Sequence, residues 1–242
     1  MSAPNAFTSM AAGARDTLPM IVGASPFGLI FGSLVAGSGL LPWQGQAMSL
    51  AVFAGSSQFI ALSLVAGQAG LVVIWLTTFI VNLRHVLYAA TLLPDVAHLP
   101  ARWRWLLGFL LTDESFAVMS GYYRRNPKAP LGHWYFLGSG LSMYLNWQLW
   151  TLLGLLFGAA FPGLEKLGLD FAMVATFIAI VVPLLCSVPR LGAALAAGAL
   201  AYVFQALPYK LGLLAAVAGG VLVGLVLTRW RAGACGLEEA PR

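Results

Sequence analysis

The chain has 242 residues, of which 60% are hydrophobic and only 9% charged, with a mean hydropathy of +0.86. A soluble globular domain carries about 25% charged residues, so this composition cannot cover a wet surface and indicates an all-α integral membrane protein. The net charge of +5 comes from scattered residues with no basic run, which speaks against a nucleic-acid surface and for membrane orientation.

Residues 1–17 are small and polar and lack the basic start and apolar core of a secretory signal, so they are expected to form a cytoplasmic tail. A spanning helix needs roughly 20 mostly apolar residues. By that measure about eight transmembrane helices are expected, near 18–38, 46–67, 71–93, 104–122, 135–160, 170–188, 190–208 and 210–229, with seven as the alternative count. The last two are rich in alanine and glycine, are joined by Leu207-Pro208-Tyr209, and can be one hairpin or partly re-entrant. Residues 18–229 then make one transmembrane transport domain and 230–242 a cytoplasmic C-terminal tail. Basic residues set orientation. Eight spans put Arg15, Arg124, Arg125, Lys128, Arg190, Arg229, Arg231 and Arg242 on one side. Arg102, Arg104, Lys166 and Lys210 fall on the other, with Asp95, Glu165 and Asp170. Both termini are therefore expected in the cytoplasm.

Several spans are expected to be broken. "GASPFG" (23–28) sets Pro26 early in the first span, and "VVPLLCSVP" (181–189) sets Pro183 late in the sixth. Proline frees the carbonyl one turn back, and such groups are tolerated at membrane depth only where protein or water satisfies them. "AGSSQF" (54–59) is a third candidate, polar and lying in a stretch, 46–67, with no charge. Small residues at Ala24, Gly28, Gly32 and Ala36, at Gly154 and Gly158, and at Gly220 and Gly224 mark close helix packing, within the bundle or in a homo-oligomer. Thr78-Phe79-Ile80 recurs as Thr176-Phe177-Ile178, and Gln58 has a loose counterpart in Gln148, which suggests an inverted three-span repeat. Cys186 and Cys235 are too few and too far apart for a disulfide framework.

Charges inside spans cost roughly 2.5–3.5 kcal/mol each at the bilayer centre and face a partner or a cavity. Only Asp113, Glu114 and Arg84 lie at such positions, with His85 beside the arginine. Arg84 is expected to pair with Asp113 or Glu114, either as a structural lock between spans or as part of a substrate or proton site. Adjacent acids point about 100° apart on a helix, so one can hold Arg84 while the other stays free to exchange a proton. Polar residues also recur at helical spacing: Thr78, Asn82 and His85; Ser139, Ser142 and Asn146; Ser49, Ser56 and Ser63. They either bond neighbouring helices or line a polar path. No His or Cys stands at ligand spacing, so no metal is expected, and no cofactor either.

Four runs in order, "GASPFGLIFG", "FAGSSQF", "NLRHVLYAA" and "LTDESFA", resemble the AzlC-type family of branched-chain amino acid permeases over roughly residues 15 to 230. The resemblance implies export of branched-chain amino acids from the bacterial cytoplasm and a separate small hydrophobic partner subunit of the AzlD type. Its motif positions are Pro26, Phe27 and Gly28; Gly55 and Gln58; Asn82, Arg84 and His85; and Asp113 and Glu114.

The leading expectation is a secondary exporter of apolar amino acids in the cell inner membrane, proton-coupled, with no phosphate-binding loop for ATP. Pro26, Phe27, Gly28, Gly55, Ser56, Ser57, Gln58, Asn82 and Asn146 are the candidate substrate residues. Arg84, His85, Asp113 and Glu114 are candidates for coupling or ion pairing. The alternatives are a passive channel or assembly subunit, and an intramembrane hydrolase. The last is disfavoured because neither a G-x-S-x-G elbow nor H-E-x-x-H occurs.

Overall fold

The computed structural model describes residues 5–127, 129–157, 178, 182, 185–205, 207 and 211–236. Most of the expected sixth span (170–177, 179–181, 183 and 184), Pro183, Gly158, Lys128, Lys166, Lys210 and the Thr176-Phe177 part of the repeat lie outside the described residues. The described residues form nine α-helices and no strand, in two compact units divided at Ile178.

In the first unit, α1 (Ala6–Val35) begins inside the expected tail, where Asn5 caps it by accepting from the Thr8 amide and the Thr8 hydroxyl returns the bond. It runs unbroken through Pro19 and Pro26, so the expected interruption at Pro26 does not occur. The reason is packing. α7 (Gly132–Phe157) lies alongside α1 in the same direction, with Thr17 bonded to Ser139 at 2.7 Å and Ser25 to Asn146 at 3.0 Å. Gly13, Gly32, Gly138 and Gly154 let the two backbones touch, since a Cβ on any of them would overlap main-chain atoms of the other helix. That contact, held over the length of both helices, outweighs the donor that Pro26 lacks.

The breaks fall elsewhere. The expected span at 46–67 is two short helices, α2 (Pro42–Val52) and α3 (Gly55–Ala66). Phe53 between them has φ 42° and ψ 45°, a left-handed conformation that costs a bulky side chain about 1–2 kcal/mol. Its ring is held by Tyr144, edge-on at 4.9 Å, and by Phe109 at 6.3 Å. The chain also turns back here. Gly45 of α2 lies against Val35 near the end of α1, Ser49 reaches Thr151, and the Leu50 carbonyl accepts from Tyr144. α3 then returns, with Phe59 packed edge-on against Phe31 at 5.8 Å and Leu62 in the same apolar cluster as Val35. The Ser49, Ser56, Ser63 stripe is therefore not one helix face, because the break separates Ser49 from the other two.

α4 (Leu71–Val96) runs back along the bundle. The expected span at 104–122 is likewise two helices, α5 (Ala101–Phe109) and α6 (Asp113–Arg125), and they too form a hairpin. Trp103 at the start of α5 packs on His133 and Trp134, while Tyr122 at the end of α6 stacks on Tyr135 at 3.9 Å. Both hairpin ends thus sit where α7 begins. The tip is at mid-height, where Leu110 packs against Gly140 and Phe109 meets Phe53. The four short helices have 9 to 13 residues, about 14–20 Å each at 1.5 Å per residue, which is half to two-thirds of a hydrocarbon core. Two hairpins thus enter the bundle from opposite ends and meet tip to tip.

This geometry moves two charges. Arg102 and Arg104, expected opposite Arg15, Arg124 and Arg125, share their end of the bundle because α5 and α6 start and finish there. The described connections at the other end, 36–41 and 67–70, carry no charge.

α1 and α4 are each long and apolar enough to cross a membrane. Trp75, Phe79 and Leu87 on α4, and Leu145, Leu149 and Leu156 on α7, face outward, a surface suited to hydrocarbon. In the second unit α8 (Val188–Val203) and α9 (Leu211–Gly236) pack as an antiparallel pair, with Gly220 against Ala197 and Gly224 against Ala193.

Gly32→Ala should lower the apparent unfolding temperature in detergent, at a cost of about 1–3 kcal/mol for overpacking. Gly198→Ala, where nothing lies within 4 Å of an added Cβ, should be neutral or gain up to ~1 kcal/mol. Equal melting of both variants would contradict the α1–α7 contact.

Candidate functional site

Where the hairpin tips meet, a small cavity of about 60 Å³ lies among α1, α3, α4, α6 and α7. Its polar wall comes from two helix starts. α3 begins at Gly55, with Ala54 as its N-cap and no side chain among the described residues capping it, so its first amides point out of the helix end without a side-chain acceptor there. Gly55 is required by its neighbour, because a Cβ there would come within 2.9 Å of Trp147 Cη2. α6 begins at Asp113 for a different reason. Thr112 is extended (φ −121°, ψ 179°), its hydroxyl accepts from the Ser115 amide, and the Thr112 amide donates to Ser115 Oγ at 2.8 Å. This reciprocal cap starts a new helix in mid-bundle, and Asp113 and Glu114 in its first turn suit the positive helix end. One helix start is therefore bare, and the other is capped and acidic.

Arg84 of α4 joins them. Its Nη1 lies 2.8 Å from Asp113 Oδ2, and its Nη2 donates to Ser56 Oγ at 2.7 Å. Tyr88, one turn on, donates to the other Asp113 oxygen at 2.6 Å and stacks on Phe116 at 4.4 Å. Of the two acids, Asp113 takes the arginine. Glu114 forms no ion pair among the described residues; its carboxyl has the Thr112 hydroxyl and its own backbone within reach and borders the cavity. His85 also borders it, with Nδ1 3.2 Å from the Asn82 carbonyl and its ring edge-on to Tyr88. The apolar wall is Phe27, Phe53, Phe59, Met143 and Trp147.

Of the residues singled out in the sequence, Phe27, Gly55, Ser56, Arg84, His85, Asp113 and Glu114 line the cavity. Pro26, Gly28, Ser57, Gln58, Asn82 and Asn146 are not among its lining residues. Gly28 packs on α7, and Ser57 donates to the Ala54 carbonyl. Asn146 bonds Ser25. Gln58 is fully buried behind the wall, where its Oε1 accepts from Trp147 Nε1 at 3.1 Å and its Nε2 has no partner among the described residues. Gln148, the loose counterpart of Gln58, pairs instead with Gln46 of α2. Sequence reasoning missed Tyr88, Thr112, Met143 and Trp147. Tyr88 carried a signal, since i and i+4 share a helix face with Arg84, and the T-D-E-S run is a helix-start signature.

The pair is buried enough that its two halves must go together: the Arg84 and Asp113 side chains are 24% and 10% exposed. Removing one partner strands the other, at a cost of about 3–5 kcal/mol. Arg84→Ala should therefore strongly destabilise the protein in detergent, and adding Asp113→Ala should restore part of the loss. Strictly additive losses would mean the two charges do not interact.

A family model described as AzlC protein matches residues 19–161, which takes in most of α1 and all of α2 to α7, and so the whole cavity. The chain is 29% identical over 239 residues to the inner membrane protein YgaZ of Escherichia coli (strain K12), covering 95% of this chain and 94% of that one. It is 32% identical over 164 residues to an uncharacterized membrane protein of Helicobacter pylori (strain J99), covering 67% and 69%. It is 28% identical over 164 residues to the branched-chain amino acid transport protein AzlC of Bacillus subtilis (strain 168), covering 68% and 63%. No solved structure matches. With more than half of its length matched by the family model, the chain belongs to the AzlC protein family.

Proposed function

We propose that the chain is a secondary transporter that exports branched-chain or other apolar amino acids across the bacterial inner membrane, driven by the proton gradient. One observation carries the reading: a bare helix start and an acidic helix start converge on one small cavity with an aromatic and methionine wall. Amide groups at a helix start attract a carboxylate, and an unpaired carboxylate attracts an ammonium group. An α-amino acid carries both on one carbon, and its apolar side chain suits Phe27, Phe59 and Met143. The name of the Bacillus relative supports the substrate class.

Membrane placement follows from the same reading. α1, α4 and α7 cross the membrane, and the α2–α3 and α5–α6 hairpins re-enter from opposite faces. The total of about eight spans expected from the sequence then counts each hairpin as one. The face with Arg15, Arg102, Arg104, Arg124 and Arg125 is cytoplasmic, by the excess of basic residues there. A different inverted relation from the three-span repeat expected in the sequence links α1–α3 to α4–α6, each a long helix followed by two half-helices, a plan that transporters use for alternating access. A small hydrophobic AzlD-type chain completes the permease and covers part of the exposed apolar surface.

A channel is the second reading, since half-helices that meet tip to tip also line pores. Counterflow separates the two. Proteoliposomes preloaded with unlabelled leucine should accumulate labelled leucine transiently and saturably, with the small partner present. Uptake that is linear in concentration and indifferent to preloading would assign a pore.

A further inference from the structure

We propose that Glu114 is a single exchange position, at which a proton and the ammonium group of the substrate displace one another, so that one proton enters for each amino acid that leaves. The proposal rests on the amino-acid reading above and goes beyond it by naming the coupling group and the stoichiometry.

The division of labour between the two neighbouring acids carries it. Both oxygens of Asp113 are engaged, one by Arg84 at 2.8 Å and the other by Tyr88 at 2.6 Å. Asp113 is thus the fixed counter-charge of Arg84, and a proton there would break the clasp between the hairpins. Glu114 has no cation partner among the described residues, yet it borders the cavity.

The groups around Glu114 can be named element by element. α4 brings Arg84, His85 and Tyr88, and α6 brings Asp113 and the Thr112 hydroxyl. Among the described residues that line the cavity, α3 adds the Ser56 hydroxyl and the bare helix start, and α1 and α7 contribute Ala24, Phe27, Met143 and Trp147, none of them titratable. Arg84 and Asp113 cancel, so an ionised Glu114 leaves the empty cavity one negative charge in excess. A proton removes that excess. A bound zwitterionic amino acid leaves the net charge unchanged, but its ammonium pairs with Glu114 while its carboxylate lies against the amides of α3, whose positive helix end compensates it. With both, the ammonium would meet a neutral Glu114 and, Asp113 being held by Arg84 and Tyr88, no free carboxylate of the protein; with neither, the Glu114 carboxylate would face the cavity without a cation of its own. The site thus favours one occupant at a time, which is the condition for tight exchange.

The balance of the step is simple. At pH values where Glu114 is protonated, the incoming ammonium group displaces that proton to solvent, and no covalent bond of the substrate changes. The test uses the purified full chain with its small partner in detergent, weakly buffered, with a pH-sensitive dye to count protons as leucine binds. Close to one proton per bound leucine should appear at acidic pH, falling toward zero at alkaline pH. Over the acidic range the apparent Kd should weaken by up to tenfold per pH unit lost. 4-Methylpentanoate, which lacks the amino group, should release no proton.

Glu114→Gln should bind leucine with no proton release and a Kd independent of pH, while Glu114→Asp should keep the release. Size-exclusion profiles matching the parent show that both variants are folded. Leucine binding without proton release at any pH from about 5 to 9, or full release from Glu114→Gln, overturns the proposal; the second result would assign the proton to His85. Failure of the parent protein to bind any apolar amino acid would instead overturn the transporter reading, and the proposal with it.

Discussion

A single guanidinium holds the centre of the first unit together. Arg84 bonds Ser56 at the start of α3 and Asp113 at the start of α6, so one side chain from α4 clasps the two hairpins that come in from opposite ends. Everything at mid-height depends on that clasp. The hairpins are made of helices too short to cross the bundle, and their tips carry backbone groups that no helix satisfies. A buried arginine is expensive, and it is tolerated here because Asp113 supplies its charge and Ser56 a neutral acceptor.

The site follows from a difference between two similar parts. Both hairpins present a half-helix start to the same cavity, and in both a buried serine three residues after the N-cap, Ser57 or Ser115, donates back to the N-cap carbonyl. Ala54 leaves α3 uncapped, whereas Thr112 and Ser115 cap α6 and two acids follow. One end is thus a place for negative charge and the other a place for positive charge. Phe53 stores local strain between them, held by Tyr144 and Phe109. Strained residues of this kind gather where conformational change is needed.

Much of this was legible in the sequence, and the rest was hidden for physical reasons. Composition identifies the membrane class, and the isolation of Arg84, Asp113 and Glu114 in apolar stretches points to the cavity they line, because charge in an apolar stretch needs a partner. Hydropathy could not separate a crossing helix from a hairpin. Two half-helices of about ten residues are as apolar as one helix of twenty, and only the cap at Thr112 betrays the turn. That one ambiguity also misassigned Arg102 and Arg104. Pro26 misled in the opposite direction: a proline in a helix weakens one bond, but the glycine contacts with α7 keep α1 helical through it. Sequence spacing alone could not tell that Gln58 and Asn146 serve Trp147 and Ser25 rather than the cavity.

The central claim is that each hairpin enters and leaves by one face, and sided labelling tests it most directly. In a variant with Cys186 and Cys235 replaced by serine, single cysteines would be placed at Leu41 and Gly70, which flank α2–α3, and at Ala101 and Asn126, which flank α5–α6. A membrane-impermeant maleimide applied to intact cells and then to inverted vesicles reads the face of each. The account predicts that positions 41 and 70 label from the outside, and positions 101 and 126 from the inside. Opposite faces for the two members of either pair would show that the segment crosses the membrane, and would contradict the account.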